Sequence, residues 1–124
     1  MKFLWTTIYV KDLEESIAFY EELAGLTVTN RFPAGPGVEI AFMGNGEADE
    51  TLVELLADKN QVAVDHGNFI SMGFAVESAD KMMEIVKGKG IPLHNGPIET
   101  PAFIFFTVKD PNGVSVQFFQ YKNR

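Results

Sequence analysis

An α+β fold of two tandem βαβββ units, forming a shared curved mixed sheet around a concave cavity, is the architecture this sequence predicts. Three observations predict it. The order strand, helix, then three strands occurs twice in 124 residues. Both helical stretches open on a capping side chain and close on glycine. Matching anchors recur at a nearly constant offset: Val10 to Val76 is 66 residues, Gly25 to Gly90 is 65, and Asn45-Gly46 to Asn112-Gly113 is 67. Self-similarity at a fixed period is the mark of a repeated structural unit.

The first unit spans about residues 1–57. Phe3 to Val10 is rich in aromatic and β-branched residues and reads as a strand. Asp12, followed by Glu15 three positions on, is a variant of the capping box. Leu13, Ile17, Tyr20 and Ala24 then mark one helical face, and Gly25 stops the helix. Three strands follow at Leu26 to Phe32, Val38 to Met43 and Thr51 to Leu56. Pro33 to Gly37 separates the first two, and Gly44-Asn45-Gly46 begins the turn before the third.

The polar segment 58–68 links this unit to a second one at about 69–124. Phe69 to Val76 is its first strand, and Ser78 is its helix cap. Ala79, Met82, Met83 and Val86 form its helical face, with Gly88 and Gly90 closing the helix. Its remaining strands are Ile91 to Leu93, Ala102 to Val108 and Val114 to Tyr121, the last entered through Asp110-Pro111-Asn112-Gly113.

One helix covers one face of a four-stranded sheet and leaves the other bare. Two units can share their bare faces around a concavity lined by alternate strand residues. In the first strand Phe3 or Leu4, Ile8 and Val10 belong under the helix, so Trp5, Thr7 and Tyr9 point into the concavity. In the fifth strand the bulky Met72, Phe74 and Val76 alternate with the small Ser71, Gly73 and Ala75. That alternation keeps room on the open side. Phe103-Ile104-Phe105-Phe106 supplies large residues to both faces, so at least one phenylalanine reaches the cavity or a dimer seam.

Composition excludes several functions. There are 10 Lys plus Arg against 17 Asp plus Glu, a net charge of −7. Such a chain has no basic footprint for nucleic acid or an anionic membrane surface. Without cysteine it has no disulfide framework, thiolate metal site or thiol nucleophile. No apolar run reaches membrane-spanning length, and Thr6, Thr7 and Lys11-Asp12 interrupt any signal-peptide pattern. A single cytoplasmic domain, paired as a homodimer, is the expectation.

Thr7-Ile8-Tyr9-Val10-Lys11-Asp12-Leu13 leading to Ser16-Ile17-Ala18-Phe19-Tyr20, then Gly25-Leu26, Leu52-Val53-Glu54-Leu55 and Asp110-Pro111-Asn112-Gly113, resembles the vicinal-oxygen-chelate superfamily. That superfamily groups glyoxalase I, extradiol dioxygenases, fosfomycin-resistance enzymes and bleomycin-resistance proteins. Its metalloenzymes place ligands, mostly His, Glu and Gln, on the first and fourth strands of each unit. The resemblance carries those positions onto Trp5, Glu54, Ser71 and Gln117. The repeat independently pairs Trp5 with Ser71 and Glu54 with Gln117.

The contents of these positions suit a metal poorly. Indole offers no lone pair suited to coordination. A serine hydroxyl is a weak ligand for Zn, Ni or Fe(II), which take imidazole, carboxylate or thiolate. His66, in the linker, and His94, beside Asn95-Gly96-Pro97, read as solvated histidines, although His66 is a possible non-standard ligand. No metal and no cofactor is therefore expected. Trp5 is a candidate cavity wall, with Thr7, Tyr9, Ser71, Gln117 and Phe119 as further ligand-binding candidates. Glu54, facing a cavity walled by Trp5 and Phe119, is the candidate for proton transfer. Arg31 is a candidate anion clamp at the end of the second strand. The resemblance then implies a metal-free protein that holds a small, partly aromatic or amphipathic molecule. The alternative is a glyoxalase-like lyase or isomerase with Glu54 as base, and a third reading is a regulatory or interaction dimer with a closed cavity.

Overall fold

Backbone pairing within each half of the chain positions every candidate side chain. The computed structural model describes residues 1–61, 65–67 and 69–122. Its packing divides the chain into units Met1–Asp65 and His66–Arg124. The predicted linker 58–68 therefore lies partly outside the described residues.

In the first unit the elements are β1 (Trp5–Tyr9), α1 (Leu13–Ala24), β2 (Thr27–Pro33), β3 (Val38–Gly44) and β4 (Leu52–Asp58). In the second they are β5 (Ser71–Ala75), α2 (Ala79–Gly88), β6 (Asn95–Glu99), β7 (Phe103–Lys109) and β8 (Ser115–Tyr121). The sheets have equivalent orders, β1-β4-β3-β2 and β5-β8-β7-β6. In each, the first strand runs parallel to the fourth and the other pairs are antiparallel. The α+β class and the two tandem βαβββ units follow directly. No helix among the described residues is long and apolar enough to cross a membrane.

Helix ends form where capping chemistry demands. Asp12 Oδ1 accepts from the Glu15 amide at 3.0 Å, and Ser78 Oγ accepts from the Lys81 amide at 3.2 Å. Each satisfies a first-turn N–H that has no helical partner. Gly25 closes α1 at φ 67°, a left-handed conformation that costs glycine little. Gln120 Oε1 accepts from the Ala79 amide at 2.8 Å, tying the start of α2 to β8.

Each helix packs on one face of its own sheet. Leu13, Ile17, Tyr20 and Leu23 of α1 are buried, as are Ile8, Ala41, Met43 and Leu55 of the first sheet. In the second unit Ala79, Met82 and Val86 are buried, together with Ile104, Phe106, Val108, Val116 and Phe118. Arg31 also lies on the helix side. Its guanidinium donates to Glu39 Oε2 at 2.6 Å and to Glu14 of α1. These bonds, that to Glu39 first, raise the arginine's affinity for its proton. The bond from Arg31 also holds the Glu39 carboxyl below its ordinary range. Arg31 is thus engaged by two carboxylates on the covered face, which corrects its reading as a free anion clamp.

Two further corrections concern element boundaries. The strand expected at Ile91 to Leu93 forms instead at Asn95–Glu99. The Ile91 amide donates to Val86 O at 2.9 Å, which ties it to the end of α2, and Pro92 has no N–H to give a ladder. The strand that does form is a fully exposed edge with an irregularity between Asn95 and Ile98, where a proline such as Pro97 is tolerated. At the other boundaries, Phe3 and Leu4 are 66% and 52% exposed, not under α1. The β1–β4 register starts only at Trp5, so they precede the paired strand. Phe69 and Ile70 likewise precede β5 and are exposed.

Candidate functional site

Strand register determines which side chains share the face left open by each helix. In the first unit Thr7 is level with Glu54 on β4, and Glu54 is level with Phe42 on β3. Trp5 and Leu52 lie two residues to one side, and Tyr9 and Leu56 two residues to the other. On β2, Asn30 is level with Phe42, and Phe32 lies two residues along, level with Ile40. Trp5 meets Phe42 edge-on with ring centroids 5.0 Å apart, and Phe42 stacks on Phe32 at 6.1 Å. As predicted from alternation, Trp5, Thr7 and Tyr9 lie opposite Ile8 and are exposed.

Glu54 is the polar centre of this apolar row. It is only 8% exposed, and its Oε1 accepts from the Thr7 hydroxyl at 2.5 Å. No described cation pairs with it. Lys2 pairs with Asp49, and Arg31 is held on the opposite face. Among the described residues the carboxylate thus has one neutral donor and no counter-charge.

The second unit repeats this register with different side chains. Gly73 is level with Gln117, and Gln117 with Thr107 on β7. Ser71 pairs with Ser115 and Ala75 with Phe119, so the small residues of β5 do stand on the open face. A Cβ on Gly73 would come within 3.3 Å of Gln117 Oε1, so glycine keeps space beside the amide. A shallow cavity of about 350 Å³ is lined by Gly73, Phe74, Ala75, Gln117, Phe119 and Tyr121. Phe119 stacks on Phe105 at 5.8 Å, lies 5.0 Å from Phe103, and meets Tyr121 edge-on at 4.8 Å. Within the Phe103–Phe106 run, Phe105 shares this face, while Ile104 and Phe106 are buried on the other. Thr107 is buried and its hydroxyl has no hydrogen-bond partner among the described residues.

Thus Trp5, Thr7, Tyr9 and Glu54 come together in one sheet, and Ser71, Gln117 and Phe119 in the other. The sequence reading missed Phe42, Phe32, Thr107 and Tyr121. Each belongs to a strand already recognised, but its face depends on cross-strand register, which alternation within one strand cannot supply. His66 is half-buried in the segment before β5, and His94 is exposed just before β6. Among the described residues no group of three or more His, Asp or Glu side chains gathers closely enough to hold a metal ion. The indole of Trp5 and the hydroxyl of Ser71 lack the donor chemistry a catalytic divalent ion needs.

Comparison with known proteins identifies the lineage. The model of the Glyoxalase/Bleomycin resistance protein/Dioxygenase superfamily matches residues 2–118. The chain belongs to that superfamily. It is 31% identical to the lactoylglutathione lyase of Neisseria meningitidis serogroup A over 99% of this chain and 93% of that one. The trypanothione-dependent glyoxalase I of Leishmania major superposes with a TM-score of 0.83 at 24% identity, covering 97% of this chain and 86% of its own. The antibiotic-binding protein TnmS3 from Streptomyces sp. CB03234 superposes with a TM-score of 0.72 at 18% identity, over 98% and 97% of the two chains. Both superpositions establish the fold.

Proposed function

We propose that this member of the superfamily works without a metal, binding a small, partly aromatic or amphipathic molecule on the open faces of its sheets. One observation carries the reading: aromatic side chains line both open faces, and an indole and a hydroxyl fill two positions that the resemblance would assign to metal ligands. Aromatic walls with a few convergent polar groups are the usual make-up of a small-molecule site. TnmS3, an antibiotic-binding protein of the same fold, is a precedent for small-molecule binding on this scaffold.

A lyase is the second reading, favoured by the name of the Neisseria relative. In that chemistry a metal polarises the substrate oxygens so that a base can remove an adjacent proton. Glu54 alone lacks that electrophile. A lactoylglutathione lyase assay on a glutathione hemithioacetal, with and without added Ni or Zn, separates the two readings. We expect no turnover above background, and changes in Trp5 emission when small aromatic molecules are screened. Turnover that disappears in Glu54→Gln would establish the lyase instead.

A further inference from the structure

Taking the binding reading as its basis, we infer that the first unit's open face selects an organic cation: a protonated amine carried on an aromatic or apolar body. The inference rests on the unbalanced charge of Glu54. A carboxylate that is 8% exposed has lost most of its hydration, and burial of an ion is costly unless another charge compensates it. Among the described residues its single hydrogen bond comes from the neutral Thr7 hydroxyl. The face around it, from Trp5 and Tyr9 on β1 across Leu52 and Leu56 to Phe42, carries no basic side chain.

The surroundings suit a cation with an apolar body. An ammonium at Glu54 would form a charge-assisted hydrogen bond with a carboxylate largely shielded from water. Trp5, 43% exposed and held edge-on by Phe42, presents an indole two register steps from Glu54. Aromatic faces attract cations through the negative centre of the ring, indole most strongly. The net charge of −7 would also raise the local concentration of cations and lower that of anions. A carboxylate ligand would meet Glu54 with like charge and no compensating cation among the described residues of that face.

The test uses three probes of similar shape: phenethylammonium, phenethyl alcohol and phenylacetate. Each is titrated against the full chain at neutral pH and read through Trp5, the only tryptophan. The ammonium should bind about tenfold or more tighter than the alcohol, and phenylacetate weakest, as a desolvated charge pair with an adjacent ring implies. That preference should persist at roughly 0.5 M salt, where attraction by exposed charges is largely screened. In Glu54→Gln the ammonium should bind no better than the alcohol. Equal binding of the three probes, or a preference that survives Glu54→Gln or vanishes in salt, would overturn the cation inference while leaving the aromatic-binding reading intact. Failure of all three to bind, together with a wider aromatic screen that leaves the emission unchanged, would overturn both.

Discussion

Glu54 and Gln117 occupy equivalent register positions, level with Thr7 and Gly73 respectively, yet one is an ion and the other a neutral amide. At the residue scale this makes the two open faces chemically different despite their common origin in the repeat. Trp5 is the residue whose role is most directly testable. It is 43% exposed, whereas Phe118 on β8 is fully buried, its ring 5.4 Å from that of Phe106 on β7. Truncating a fully buried phenylalanine costs about 3–5 kcal/mol, as lost transfer energy and a residual cavity. Phe118→Ala should therefore lower stability by that order, and Trp5→Ala by clearly less. Urea melts of the two variants check this. Equal losses would mean that Trp5 belongs to a closed core and is no ligand wall. Phe74 is a poorer core probe than its sequence position suggests, since it is only half-buried and lines the cavity beside Gln117.

At the scale of elements, each helix depends on a single side-chain cap joined to an apolar face. Asp12 accepts from the Glu15 amide and leads directly into the buried Leu13 and Ile17. Removing such a cap leaves a first-turn donor without its partner, at a cost of about 1 kcal/mol. Asp12→Ala should lose stability on that scale in denaturant melts, while Asp12→Asn or Asp12→Ser should lose much less. Loss as large as that of a core truncation would show that Asp12 does more than cap. Strand ends follow a different rule. The edge strand β6 begins only where the His94 amide reaches Thr107 O at 2.8 Å, beyond the apolar Ile91-Pro92-Leu93 run. Hydrophobicity marked the wrong three residues there because pairing, not composition, decides where a ladder starts.

On the scale of the whole molecule, the resemblance assigns ligand positions to Trp5 and Glu54 in the first unit and to Ser71 and Gln117 in the second, and we propose that this set holds no metal. Indole and a serine hydroxyl offer a metal little at two of those positions. Purified protein should therefore carry less than roughly a tenth of an equivalent of Zn, Ni, Mn or Fe, and adding them should leave its thermal midpoint unchanged, since a ligand specific to the folded state must raise it. Elemental analysis and thermal melts measure both. Stoichiometric metal whose removal by chelator lowers stability would refute the metal-free reading and direct attention to His66.

The repeat, both helices with their caps, and the large-small alternation of β5 were determined by the sequence alone. Each depends on residues close together in the chain, through 3.6- and 2-residue periods and cap chemistry. The donor poverty of Trp5 and Ser71 was equally legible, since it is a property of the side chains themselves. Other features required the tertiary structure. Arg31 looked like a free strand-end cation until β2 brought it to Glu39 and packed it against Glu14. Phe42 and Thr7 flank Glu54 only because β3 and β1 pair with β4 in one particular register. A shift of one residue would turn every one of these side chains to the opposite face. Register is set by pairing between segments as many as 47 residues apart, so the surroundings of Glu54 emerge only when the sheet forms.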